Sequence, residues 1–269
     1  MTNGEAHTTK GRTSKGRRAF LFVFRFCLLL VLTVPFIFYS GAQEEVELPR
    51  DESRFTLGRI FFNVPMRGAF RDRMGFGAGP PWSHDWPRAE EHLMKIMAEV
   101  TRVDVNPGGH IISFQSDECF QYPIAYLCEV GYLDLSDEEA YRMSEYLLRG
   151  GFLIVDDFRD MRALENFRYQ MKKVFPDRAL EELPRSHEIW KCFYDISDLK
   201  IEPPAIYSRF YVPQYFGISD DNDRLMMIVN YNNDIAEYWE WSDDPLTPIE
   251  ESNEAYKYGI NYVMYALTH

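Results

Sequence analysis

Asp156 and Asp157 stand side by side at the end of the apolar run Phe152–Val155, and no other pair in the chain is placed so well for chemistry. Carboxylates at a strand end can serve as oxygen ligands for a hard cation, with Asp117 or Asp234 as partners, or one can act as a general base. Successive strand side chains point to opposite faces, so one of the two is expected to face a crevice. The competing reading has one carboxylate capping the following helix and the other in solvent. Beyond the first fifty residues the histidines are His84, His92, His110, His187 and His269. His187, in Pro184-Arg185-Ser186-His187-Glu188, is the best placed for acid–base or ligand work, against a purely structural role in its loop. His84 and Asp85, within PWSHDWP, read as a capped helix start between packing tryptophans.

No G-x-S-x-G elbow is present, and Cys119 is crowded by Glu118 and Phe120. Cys119, Cys128 and Cys192 are odd in number and not spaced as a metal ribbon; one bridge with a free thiol and three buried thiols both fit. Tyr207–Phe216 and Tyr238-Trp239-Glu240-Trp241 could stack a sugar or peptide, or pack against a sheet.

The elements that must position these groups alternate strand and helix. Phe55–Val64 reads as a strand, and Pro65–Pro87 as a Gly/Pro/Arg-rich loop. Its GFGAGPPW does not open a helix directly after a strand and so fails as a dinucleotide fingerprint. Pro87–Thr101 repeats apolar residues at Leu93, Ile96, Met97 and Val100, an amphipathic helix. Val103–Val105 is a short strand, Pro107-Gly108-Gly109 a turn, and His110–Phe114 a further strand ending in Gln115-Ser116-Asp117-Glu118. Ser136–Leu148 opens on a capping box and closes at Gly150-Gly151. Phe152–Val155 is a strand buried on both faces, Met161–Val174 a helix, Leu225–Asn230 a strand leading to Asn232, Asn233 and Asp234, and Glu254–Leu267 a closing helix. The alternation predicts an α/β fold, an open and mostly parallel sheet with helices on both faces. In such sheets ligands bind beyond the carboxyl ends of the strands, where Asp117, Asp156, Asp157 and Asp234 would lie.

The N-terminus carries an export signature. Lys10, Arg12, Lys15, Arg17 and Arg18 precede an apolar run from Ala19 to Tyr39 broken only by Arg25. Residues 1–42 are expected to be a signal peptide, cut between Ala42 and Gln43 after the small residues Ser40-Gly41-Ala42, or an uncleaved signal anchor through residues 19–42. Either leaves the rest of the chain extracytoplasmic, by the positive-inside rule, in the periplasm or tethered to the inner membrane. Gly16-Arg17-Arg18-Ala19-Phe20-Leu21 also resembles a twin-arginine signal, against an ordinary basic leader. Residues 43–54 are a charged linker and 55–269 one domain. Residues 43–269 hold 23 basic and 41 acidic side chains, a net charge of −18, which repels phosphate backbones and argues against nucleic acid as a partner.

Several segments together carry a family resemblance: Asp85-Trp86-Pro87-Arg88-Ala89-Glu90, Tyr122-Pro123, Leu147 to Leu153 leading into Asp156-Asp157, Val174-Phe175-Pro176, and Leu183-Pro184 ahead of His187. The combination resembles the bacterial domain of unknown function 4159, over roughly residues 55–268. The resemblance implies a flavodoxin-like, class I glutamine-amidotransferase-like fold without an assigned activity. The segment into Gly150-Gly151-Phe152-Leu153 is also similar to trehalose-utilisation-type domains. The cysteine elbow and His-x-Glu pair of true amidotransferases are missing, His187-Glu188 being adjacent. Longer relatives with von Willebrand-type domains and MoxR-type ATPase associations imply protein partners in the cell envelope.

The leading expectation is a non-catalytic envelope domain that binds a partner or small ligand in a crevice lined by Asp117, Asp156, Asp157, His187 and Asp234. A hydrolase or cation-dependent enzyme using Asp117, Asp156, Asp157 and His187 is the alternative; side chains farther apart than about 8 Å would remove it. A carbohydrate-binding module is a third reading, and it requires exposed, coplanar aromatics. The sequence names no metal, cofactor or substrate.

Overall fold

A computed structural model describes residues 51–64, 79–204 and 211–269. The export segment, the Ala42–Gln43 junction, most of the charged linker, residues 75–78 of the GFGAG stretch and residues 207–210 lie outside the described residues. Among the described residues seven strands form one sheet in the order β2-β1-β3-β4-β7-β6-β5. They are β1 (Phe55–Ile60), β2 (Val105–Ile112), β3 (Ile124–Cys128), β4 (Phe152–Phe158), β5 (Glu181–Glu182), β6 (Gln214–Ser219) and β7 (Leu225–Tyr231). β2, β1, β3, β4 and β7 run parallel, while β6 and β5 add antiparallel strands at one edge. The parallel part has the 2-1-3-4-5 order of flavodoxin-like folds, with β7 in fifth place.

Among the described residues five α-helices cover the sheet: α1 (Arg88–Val100), α2 (Asp137–Leu148), α3 (Asp160–Val174), α4 (Ile235–Glu240) and α5 (Ile249–Thr268). Leu93, Met94 and Met97 of α1, Trp239 of α4 and Tyr258 and Tyr262 of α5 pack on one face with Tyr126 and Ile154 of the sheet. Met143 and Leu147 of α2 and Leu164 and Phe167 of α3 pack on the other with Leu127 and Val155. Central strands are therefore apolar on both sides, as parallel strands between helix layers must be. Among the described residues no helix is long and apolar enough to cross a membrane.

Local chemistry explains the helix ends. Ser136 accepts from the Glu139 amide while the Glu139 side chain returns to the Ser136 amide, and α2 starts at that box. Glu90 and Glu91 in the first turn of α1 face the positive end of its dipole, and Lys172 and Lys173 close α3.

The turn expected at Pro107-Gly108-Gly109 is instead part of β2, an edge strand that absorbs it as a bulge. Phe55 pairs with Val105 and Leu57 with Gly109, so β2 gains two residues over β1, and Gly108 takes φ +81°. Proline is tolerated there because the outer side of an edge strand makes no ladder bonds. β3 carries only a five-residue apolar run as its signal, and β6 and α4 lack a distinctive periodicity.

Candidate functional site

The Asp156-Asp157 pair sits on a second bulge. Val155 pairs with Val229 and Phe158 with Tyr231, so β4 gains one residue over β7, and Asp157 takes φ +50°. A bulge re-aims side chains that a regular strand would hold on alternate faces. Both carboxylates are buried as a result. Asp156 Oδ2 accepts from Tyr126 Oη at 3.0 Å and from the Ile235 and Ala236 amides at 2.8 and 3.0 Å. One aspartate of the pair does cap a helix, but that helix is α4, not the one that follows β4, and the other aspartate is not solvated. Asp157 instead meets Arg159 through Oδ1 at 2.7 Å and His84 Nδ1 through Oδ2 at 2.7 Å.

His84 and Asp85 come from the loop before α1, where Asp85 adopts φ +63°. Arg59, a fully buried arginine of β1, holds that loop in place. Its Nε donates to Glu90 Oε1 at 2.6 Å, and its Nη1 donates to the His84 carbonyl at 3.0 Å and Cys128 Sγ at 3.0 Å. The guanidinium lies 4.3 Å from the Tyr126 ring centroid. Asp234 completes the group after β7: Oδ1 caps α4 through the Glu237 amide at 3.1 Å, and Oδ2 accepts from Arg159 at 3.2 Å.

Four buried carboxylates, those of Asp85, Asp156, Asp157 and Asp234, thus share the carboxyl edge with His84 and Arg159. Burial would lower the His84 imidazolium, yet its contact with Asp157 and the charges of Asp157 and Asp85 lift it to about 10. Burial would raise Asp157, and His84 and Arg159 outweigh it and hold this carboxyl below the usual range. Asp156 is pushed up to about 6, first by burial and then by the Asp157 charge. Burial raises Asp85 and Asp234 well above the ordinary carboxylate value, with Asp157 adding to both. Asp157 is thus the carboxyl whose charged form is favoured, while burial penalises the charged forms of Asp85 and Asp234. Neither oxygen of Asp85 has a hydrogen-bond partner. Such an arrangement can bind a cation or hold and move protons.

The structure joins Asp156, Asp157 and Asp234 and leaves Asp117 and His187 apart from them. Asp117 follows β2, three strand spacings or roughly 14 Å from β4, and is bound to Arg142 at 3.0 Å. His187 lies beside Asp220, Arg224 and Tyr265, and Arg224 donates to the Leu147 carbonyl just ahead of β4. That is the amino edge of the sheet, roughly 15 Å along β4 from the aspartates. His187 caps a turn instead, accepting from the Ile189 amide at 3.1 Å. The expected five-residue crevice is therefore not formed, and the four-residue enzyme set does not converge. Tyr215, Phe216, Tyr238 and Trp239 are buried in the core and present no exposed platform, while Trp241 is partly exposed with the Arg88 guanidinium over its ring. Cys119, Cys128 and Cys192 are free thiols, and burial pushes Cys119 up to about 11.

Arg59, Glu90, Tyr126 and Arg159 escaped sequence reasoning. One signal was available: Glu90 occupies an apolar-face position of α1, three, four and seven residues before Leu93, Met94 and Met97. A charge in that stripe demands a buried partner.

No curated protein matches the chain. The family profile described as a domain of unknown function (DUF4159) matches residues 73–267, spanning β2 to β7, all five helices and every member of the carboxylate cluster, and the chain belongs to that family.

Proposed function

We propose that this is an exported envelope domain that binds a cationic ligand, or a cationic group of a protein partner, at the carboxyl edge of its sheet without transforming it. One observation carries the reading: among the described residues Asp85, Asp156, Asp157 and Asp234 are buried together with His84 and Arg159 as their cationic neighbours, and neither Asp85 oxygen has a hydrogen-bond partner. Burying a carboxyl without hydrogen bonds destabilises a fold, so the retention of Asp85 in this cluster fits a binding role better than a structural one. Glu237 and Glu240, within ligand distance of Asp85 and only partly buried, extend the acidic wall toward solvent. The net charge of −18 over residues 43–269 would draw cations to it. A binding role is favoured over catalysis because His187 and Asp117 stand apart from the cluster and the strand-end thiol, Cys128, is raised well above its ordinary pKa by burial.

The test pairs stability with binding. Asp85→Asn, an isostere of the protonated acid, should match or exceed the wild-type Tm while losing the stabilisation that spermidine and divalent cations give the parent chain. A large drop in Tm, with cation-induced stabilisation retained, would mean that Asp85 is a structural acid. Export is tested separately: a C-terminal alkaline phosphatase fusion should be active, and mass spectrometry of the mature N-terminus decides between cleavage at Ala42–Gln43 and retention as an anchor. An inactive fusion would sink the envelope location.

A further inference from the structure

We propose that His84, Asp85, Asp157 and Asp234 form a site for one divalent first-row transition-metal ion, of the Zn2+ or Mn2+ class. The inference rests on the carboxyl edge being the binding site and names the cation it takes. One donor atom from each of the four residues lies within 4.8 Å of the others. An ion bound at about 2.1 Å sets neighbouring donors about 3 Å apart and opposite donors about 4.2 Å apart, so a sphere of this size holds one ion. The His84 Nδ1 approaches, 2.7 Å to Asp157 Oδ2 and 3.2 Å to Asp85 Oδ1, have the spacing of adjacent ligands.

A second observation, independent of the clustering, points to a ligand. The Asp85 side chain is fully buried, yet neither oxygen has a hydrogen-bond partner. Asp157 Oδ2 and His84 Nδ1 lie close together without the alignment of a hydrogen bond. Buried polar atoms that converge in this way are the signature of an ion they could share. The surroundings suit such a site. Arg159 holds Asp157 by its other oxygen, Oδ1, orienting the carboxylate while leaving Oδ2 toward His84. Arg59 fixes the backbone of the loop through the His84 carbonyl. These outer bonds set the donors in place before any ion arrives, which lowers the ordering that binding requires.

The donor set selects the metal. Three carboxylates offset the charge of a divalent ion, and the imidazole nitrogen favours zinc, manganese or iron over calcium and magnesium, which prefer oxygen alone. Zn2+ should bind more tightly than Mn2+, and both more tightly than Mg2+ or Ca2+.

The full chain, stripped with a chelator, is titrated by calorimetry with ZnCl2, MnCl2, MgCl2 and CaCl2, and bound metal is counted by plasma mass spectrometry. One Zn2+ or Mn2+ per chain is expected. Asp85→Asn should weaken binding at least about 10-fold with an unchanged circular dichroism spectrum, and His84→Gln should do the same should the first variant fail to fold. His187→Gln and Asp117→Asn, away from the cluster, should bind as the parent does. A folded parent chain that takes up neither ion overturns the proposal, as does wild-type affinity in Asp85→Asn or His84→Gln. The broader reading is separated by spermidine: Asp85-dependent stabilisation by spermidine without metal uptake removes the metal and keeps the cationic site, and no response to either removes both.

Discussion

Arg59 is the residue on which the loop bearing His84 and Asp85 depends. It is fully buried, pairs with Glu90, bonds the His84 carbonyl and covers the Tyr126 ring. A buried pair seldom outperforms an apolar one, but breaking it from one side strands a charge. Arg59→Met should therefore lower the unfolding free energy by about 3–5 kcal/mol in urea titrations. Adding Glu90→Leu should restore most of that loss, because no uncompensated carboxyl then remains. A double variant as unstable as the single one would show that Arg59 acts through packing and the loop carbonyls alone. Either variant should still perturb cation binding, since the His84 and Asp85 backbone loses its anchor.

At the level of elements, two bulges do the positioning. The bulge in β4 turns Asp157 toward His84, and the bulge in β2 absorbs Pro107 and lets Gly109 pass close to Trp86 and Glu90. A Cβ on Gly109 would come within 2.8 Å of the Trp86 ring and 3.0 Å of the Leu57 carbonyl, so the β2 bulge leaves no room for a side chain there. The helices are simpler. α2 begins at a reciprocal cap legible in Ser136-Asp137-Glu138-Glu139, and Ser136→Ala should cost about 1 kcal/mol by chemical denaturation without affecting the carboxylate cluster. A change in metal or spermidine binding in that variant would reveal coupling between α2 and the site across the sheet.

Across the whole molecule, charge is the dominant feature. With a net −18 over residues 43–269, like charges repel over a surface that bulk salt can screen. Raising NaCl from about 20 to about 300 mM should raise the Tm, since the buried Arg59–Glu90 pair is scarcely screened while the surface is. A falling Tm would mean that surface pairs such as Arg142–Asp117 outweigh the repulsion. The alternation of strands and helices, the capping box, the double-sided apolar strand at Phe152 and the family segments were all legible, because each is written in neighbouring residues. Backbone periods and caps depend on contacts within a few positions, so sequence alone determined an open α/β sheet with Asp156, Asp157 and Asp234 at its carboxyl edge. Tertiary structure alone decided which other groups join them. His84 and Asp85 arrive from a loop more than seventy residues earlier and are held by Arg59, whereas Asp117 and His187 are carried away by strand order and strand direction. Strand order and bulges set these distances, and they arise from packing between segments far apart in the chain, which no local pattern encodes.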